Sequence, residues 1–303
     1  MRILILSNGN GNYSTKRLVE VAKSRGHTVK VLKYKNAWAS INLKNPWVKY
    51  NGKIVENWDA IIPRIANNMT RYGTAILRQL EGQGIYTVSS SIAISRSRDK
   101  LRSMQLLARA GVPMPKTVVS RNSDDIDELL EDVGGTPVII KLAVGTHGNG
   151  VVLAETKKAA KSVLQALYMH NEDGTSILLQ EFIKESAGTD IRAFVVGGRV
   201  IASYQRKSLD DDFRSNLHKG GEGTPIKLTE SERRIAVRAA KAMGLNIAGV
   251  DMMRSEHGAL VLEVNASPGF GVEKITGRDV ATPIIEYVEQ NSKRGQKKDK
   301  IGA

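Results

Sequence analysis

Residues 247–269 hold the side chains hardest to reconcile with plain structure. They read as two apolar strands joined by a turn at His257-Gly258. Glu263 and Asn265 are two apart on one strand, so both point to one face. Asp251 lies on the preceding run and comes alongside them if the two strands pair. Two carboxylates at about 4 Å repel by roughly 4 kcal/mol at an effective dielectric of about 20. A divalent cation removes that cost. A ligand set of oxygens, with no Cys or His, suits Mg²⁺ or Mn²⁺ rather than Zn²⁺. The alternative is a surface hairpin with solvated acids, against which Val261, Leu262 and Val264 argue for burial.

A metal between acids implies an anionic substrate, and cations for it appear upstream. Pro137–Leu142 is a buried strand with Lys141 inside it, where a lysine is best explained by an anion to meet. Gly145-Thr-His-Gly148-Asn-Gly150 joins this strand to another at Val151–Glu155. No Gly-Lys-Ser/Thr follows and no helix opens there, so it is not a Walker A loop. It is a glycine-rich hairpin able to lay backbone N–H groups, those of Gly148 and Gly150 included, on phosphates. Lys100 sits in a helix over 97–110, marked by Leu101, Met104, Leu107 and Ala108 and stopped by Gly111. A strand from Ser176 ends polar at Glu181-Phe182, fit to serve as a linker over a purine base. Asp190 opens a β-hairpin with a Gly197-Gly198 turn. Arg206 follows it, and then Arg214, Ser215 and Asn216 in the run Asp212–His218.

The elements that must position these groups read as follows. Residues 2–7 form a strand, Ser14 to Gly26 a helix, and Thr28–Leu32 a second strand. This β-α-β opening invites a dinucleotide reading through Gly9 and Gly11. The third glycine is missing, however, and Lys30 and Lys33 stand where a ribose-binding acid belongs. Residues 36–58 are irregular. A strand over 58–64, a helix over 72–81 and a strand over 85–88 complete an open α/β unit of residues 1–95. Arg64 and Arg71 could face an anionic substrate or solvent, and Arg78 faces solvent. Further on come a strand at 117–119, helices at 124–132 and 157–169, a capping box Thr229-Glu-Ser-Glu232 opening a helix to Met243, and a last helix over 278–290.

Composition narrows the classes. With 303 residues the chain suits two or three compact units, and 41% hydrophobic residues excludes a disordered chain. No apolar run reaches a membrane span, and no leader pattern is present. The absence of cysteine excludes disulfides, thiolate metal sites and cysteine nucleophiles, and agrees with a cytoplasmic protein. The net charge of +14 predicts anionic partners: nucleotide, acidic peptide or RNA. Part of the excess is the basic tail over 291–303, read as solvated and disordered, or as an RNA- or ribosome-contacting arm and the only route to nucleic-acid contact. A non-catalytic RNA-binding protein lacks support, since aromatics are only 5% and scattered.

In chain order the set is Lys100, Lys141, the glycine hairpin, Glu181, Arg206, Arg214 and Asn216, Asp251, Glu263 and Asn265. This arrangement resembles the ATP-grasp carboxylate–amine ligases. The runs Asp99–Ala108, Asp212–His218 and Leu262–Gly269 are similar to the RimK branch, and the likeness covers nearly the whole chain. The resemblance implies an α+β and α/β fold: an N-terminal Rossmann-like pre-ATP-grasp domain (1–95), a small α+β subdomain (96–184) and a C-terminal α+β subdomain (185–290). It implies ATP, with Lys100 and Lys141 on its phosphates, Glu181 and Phe182 on adenine and Asp190 on ribose. Gly148, Gly150, Arg214, Ser215 and Asn216 would then lie beside the phosphates. Asp251, Glu263 and Asn265 would hold two Mg²⁺ or Mn²⁺ ions, with Arg206 and Arg214 as catalytic groups. It implies addition of L-glutamate to the C-terminal tail of a small-subunit ribosomal protein through an acyl phosphate, and a homotetramer. The same chemistry on another acceptor (a small coenzyme, a carrier protein or a poly-glutamate chain) is the alternative. Lys207–Asp212 fits no motif firmly.

Overall fold

The computed structural model describes residues 1–9, 11–43, 46–121, 125–142, 151–169, 176–208, 222–293, 299 and 301. The first sheet is parallel, with strands β1 (Arg2–Ser7), β2 (Thr28–Leu32), β6 (Ala60–Arg64) and β7 (Tyr86–Thr87) in the order β2-β1-β6-β7. Ile3, Leu4, Ile5 and Leu6 are all fully buried. Such a continuous apolar run is what a central parallel strand covered on both faces requires. Helix α1 (Tyr13–Ser24) covers one face through Leu18 and Val21, and α2 (Thr70–Gly82) the other through Ile76, Leu77 and Leu80.

The stretch expected to be irregular instead forms a three-stranded antiparallel sheet of β3 (Ala37–Ser40), β4 (Trp47–Tyr50) and β5 (Lys53–Ile54). Its strands are two to four residues long, too short for alternation to show in sequence. The helix expected over 97–110 is α4 (Lys100–Arg109), and a separate helix, α3 (Ser91–Arg98), precedes it and was not foreseen. The break is at Asp99, whose side chain accepts from the Arg102 backbone N–H and caps α4.

The second sheet is antiparallel, in the order β10-β9-β11-β8: β8 (Thr117–Ser120), β9 (Val138–Leu142), β10 (Val151–Ala154) and β11 (Ile177–Glu181). Helices α5 (Ile126–Val133) and α6 (Lys157–Met169) give it its own core around Leu130, Ile140, Leu164 and Leu179.

The third sheet, also antiparallel, runs β14-β13-β12-β15-β16: β12 (Thr189–Val196), β13 (Arg199–Lys207), β14 (Glu222–Pro225), β15 (Ile247–Ser255) and β16 (Gly258–Asn265). The β12–β13 turn places Gly197 and Gly198 at φ +57° and +79°, as a tight hairpin with two left-handed residues demands. Helix α7 (Glu230–Met243) opens with the capping box formed by Thr229 and Glu232. The short α8 (Gly271–Thr276) was not foreseen, and the last helix, α9, spans Ala281–Ser292.

The first and third sheets share their cores. One cluster joins Leu4, Ile61 and Leu77 to Ala236, Met243, Val250 and Val264, and another joins Ile3, Ile5 and Leu18 to Phe194, Ile284 and Val288. The tail departs from a wholly solvated arm at two points. Asp299 accepts from the buried Arg96 guanidinium, and Ile301 packs on the first of these clusters.

Candidate active site

Four strands of the third sheet, β13, β12, β15 and β16, assemble the acidic centre. Their register sets Asp190 opposite Arg206, Arg192 opposite Asp251, and Asp251 opposite Glu263. Residues opposed across strands share a face, and Asp190 with Arg192 share it by alternation, so one row of charges crosses the sheet. Between Asp251 and Met252 the register shifts by one residue, re-aiming the pair at the end of the two strands.

Arg192 holds Asp251 bidentately, with Nε to Oδ1 at 2.6 Å and Nη2 to Oδ2 at 2.5 Å. Arg206 holds Asp190 through Nε (2.5 Å) and Nη2, and the same Nη2 lies 3.1 Å from Asp251 Oδ2. Burial alone would raise the Asp251 carboxyl, but the charges of Arg192 and Arg206 outweigh it and hold the group far below the usual carboxylate range. Burial likewise opposes the charge on Arg206, and Asp251 with Asp190 restore it.

Asn265 completes the cluster. Its Nδ2 donates to Asp251 Oδ2 at 3.2 Å and to Glu263 Oε1 at 3.0 Å. A positively polarised NH₂ group thus occupies the gap between two carboxylates. A half-turn of the amide exchanges Nδ2 for Oδ1 and leaves an all-oxygen set facing that gap, which fits a hard divalent cation. Glu263 is exposed while Asp251 is 3% exposed, so the set is open on one side.

Two lysines face this centre, Lys141 from β9 of the second sheet and Lys100 from α4. Lys141 on β9 donates to Gln180 Oε1 at 2.6 Å, and Gln180 in turn donates to Thr117 Oγ1 at 2.9 Å. Burial pushes the Lys141 ammonium down to about 8; Glu263 pulls it up, and Lys100 pushes it down further. Lys100, at the start of α4, donates to the Leu142 carbonyl at 3.3 Å and is also lowered by burial against the pull of Glu263. Both lysines therefore feel the carboxylate of the opposite sheet.

Glu181 ends β11 with its carboxylate accepting from the Lys116 backbone N–H at 3.1 Å, and Phe182 beside it is half-buried. Gly148, Gly150, Arg214, Ser215 and Asn216 lie outside the described residues. Arg206, expected as a catalytic group, is buried with its guanidinium engaged by Asp190 and Asp251. Both oxygens of Asp190, expected on a ribose, are engaged by Arg206.

Sequence reasoning passed over Arg192 and Gln180. A charge at alternate positions of the apolar run Asp190-Ile-Arg192-Ala-Phe-Val-Val was the available signal for Arg192. Nothing in the sequence marked Gln180. A groove of about 540 Å³ between α1 and β2, lined by Lys16, Val19, Lys23 and Lys30, lies on other elements and takes no part in this centre.

Comparison with known proteins agrees with this geometry. Residues 97–288 match the RimK-like ATP-grasp domain and residues 1–94 the RimK pre-ATP-grasp domain. A probable alpha-L-glutamate ligase of Nitrosococcus oceani is 53% identical over 297 residues, covering 98% of each chain. Another, of Picosynechococcus, is 53% identical over 302 residues, covering 99% of each. Among solved structures, the ATP-grasp ligase PsnB complexed with precursor peptide PsnA2 and AMPPNP superposes with TM-score 0.74 at 21% identity, covering 96% of this chain and 98% of that one. The RimK domain ATP-grasp protein of Sphaerobacter thermophilus gives 0.69 at 20% identity, with 95% and 99% coverage. With both of its parts matched and its relatives aligned end to end, the chain belongs to the RimK family of ATP-grasp enzymes, and it is an ATP-dependent ligase.

Proposed function

We propose that this ligase joins L-glutamate to the C-terminal glutamate of a small-subunit ribosomal protein tail. The observation that carries the reading is the Asp251–Glu263–Asn265 cluster set against Lys100 of α4 and Lys141 of β9. It supplies what phosphoryl transfer to a carboxylate needs: oxygens for a divalent cation on one side and half-buried cations for phosphates on the other. The relatives named probable alpha-L-glutamate ligase, half-identical over nearly their whole length, support glutamate as the amine.

In this reading Lys100 and Lys141 bind the phosphates, Glu181 and Phe182 receive the adenine, and Asp190 lies towards the ribose. Gly148, Gly150, Arg214, Ser215 and Asn216 keep the phosphate-side roles that the family resemblance gives them. Asp251, Glu263 and Asn265 would hold two Mg²⁺ or Mn²⁺ ions. Such ions neutralise charge on the transferring phosphoryl group. Arg206 and Arg192 fix the direction in which Asp251 presents its oxygens. The acceptor carboxylate takes the γ-phosphoryl group and ADP leaves. The glutamate amine then attacks the acyl carbon, phosphate leaves, and a peptide bond remains. No protein nucleophile is required. The +14 charge suits an acidic acceptor tail, and the enzyme would work as a homotetramer in the cytoplasm.

The test is incubation with ATP, Mg²⁺ and glutamate, with and without the ribosomal protein, followed by intact-mass spectrometry. Glutamyl additions to the protein are expected. Glutamate-dependent ADP release with no gain of mass on the protein would move the acceptor to another carboxylate, such as a coenzyme, a carrier or a poly-glutamate chain.

A further inference from the structure

Two neighbouring arginines, Arg64 and Arg98, lie close enough for the charge of one to act on the other. Three other buried or half-buried arginines are matched by acids: Arg96 by Asp299, Arg192 by Asp251 and Arg206 by Asp190. Arg64 and Arg98 are half-buried, and among the described residues neither has a carboxylate partner. Among the described residues their hydrogen bonds go to neutral oxygens. Arg64 Nη2 donates to the Pro268 carbonyl at 2.7 Å, and its guanidinium lies 5.1 Å from the Phe270 ring centre. Arg98 donates to the Ala66 carbonyl (3.0 Å), Thr70 Oγ1 (2.7 Å), the Ile65 carbonyl and Ser267 Oγ (3.4 Å). The two guanidinium groups therefore reach consecutive residues, 267 and 268. Burial lowers both to about 10, Arg64 with a further push from Arg98. Desolvating two like charges without a counter-ion is unfavourable, and an anion between them relieves it.

Their place says which anion. Arg64 ends β6 beside Ser7, the last residue of β1, at the carboxyl edge of the parallel sheet where open α/β sheets bind ligands. Pro268 follows Asn265 by three residues. It packs so closely on Gly249 that a Cβ there would lie 2.9 Å from Pro268 Cβ, with Arg192 Cδ at 3.8 Å. The arginine pair is thus connected by direct packing to the residues that hold Asp251. The phosphate-facing lysines belong to other elements, α4 and β9, so this pair is spare for a second anion. A guanidinium with unused N–H groups matches the two oxygens of a carboxylate.

Resting on the glutamate-ligase reading, we propose that Arg64 binds the α-carboxylate of the incoming glutamate. Arg98, held by the Ile65 and Ala66 carbonyls, acts as a positioning residue behind it. The glutamate carboxylates stay free throughout ligation, so the contact persists from binding to bond formation.

The test compares wild type with Arg64→Gln and Arg64→Lys, following ADP release with glutamate and with its α-carboxamide, isoglutamine. For Arg64→Gln a rise of about 10- to 100-fold in KM for glutamate is expected, the loss of one charge-assisted hydrogen bond. KM for ATP and the melting temperature should stay near the wild-type values, and Arg64→Lys should recover part of the loss. Wild type should prefer glutamate over isoglutamine, and Arg64→Gln should lose that preference, which a merely structural role would not produce. An unchanged KM for glutamate, or an unchanged preference, overturns the assignment of Arg64 alone. Absence of glutamate-dependent ADP release in wild type overturns the glutamate reading and this assignment with it.

Discussion

Lys141 offers a direct measurement of whether the second sheet presents its ammonium to phosphates. In the free protein burial and Lys100 hold it down to about 8, below the ordinary 10.5. Nucleotide phosphates favour the charged form and return the group to at least its ordinary value. The sign follows. At pH 7 the lysine is already mostly protonated, so nucleotide binding takes up about 0.1 proton; at pH 9 it is mostly neutral, and binding takes up about 0.9. The same linkage weakens nucleotide affinity about tenfold per pH unit from about pH 8 towards pH 10, and the full gap corresponds to roughly 3 kcal/mol. Titration calorimetry of ADP at pH 7, 8 and 9, in buffers of differing ionisation enthalpy, reads the protons directly. Lys141→Met should remove the uptake at pH 9. Uptake near zero at pH 9 in wild type, or the same uptake in Lys141→Met, would refute the placement of this lysine on the phosphates.

Glu263→Ala should abolish ADP formation while leaving the melting curve and circular dichroism unchanged, because its side chain is exposed; a metal-dependent active variant would remove the ligand assignment. Gly249→Ala forces a Cβ to within 2.9 Å of Pro268, an overpacking worth about 1–3 kcal/mol, readable as a lower melting temperature. The pairing of Glu289 with Arg25 and His27 lowers its carboxyl from 4.5 to about 2. That stabilisation is present above pH 4.5 and lost as pH falls through about 2. Glu289→Gln should therefore cost about 1 kcal/mol at pH 7, discounted for the side chain's partial exposure, and only a small fraction of that by about pH 2. A constant difference across that range would show that the charge of Glu289 is not what is lost.

The acidic hairpin was legible because burial and polarity conflict within a few residues. A strand that carries Glu263 and Asn265 beside Val261 and Val264 must serve some ligand or sit at an edge, and Lys141 conflicts with its strand in the same way. The capping box at Thr229 and the Gly197-Gly198 turn were readable for a related reason: local hydrogen bonds and φ preferences need only neighbouring residues. Strands of two to four residues, such as β3 and β5, carry too few positions for a period to emerge. The break at Asp99 was hidden because both flanking segments continue a helical pattern and only the cap separates them.

Residue type and spacing alone thus determined which donor groups the site can offer: oxygens at 251, 263 and 265, amines at 100 and 141, and no thiol anywhere. Pairing was decided by the tertiary structure, since strand register is a long-range property. The opposition of Arg192 to Asp251 and of Arg206 to Asp190 turned Arg206 from an expected catalytic group into a buried brace. The same holds for Arg64 and Arg98. In the sequence each is one arginine among many basic residues. Only the packing of the first sheet against the loop after Asn265 brings both to Ser267 and Pro268 and leaves them with neutral partners.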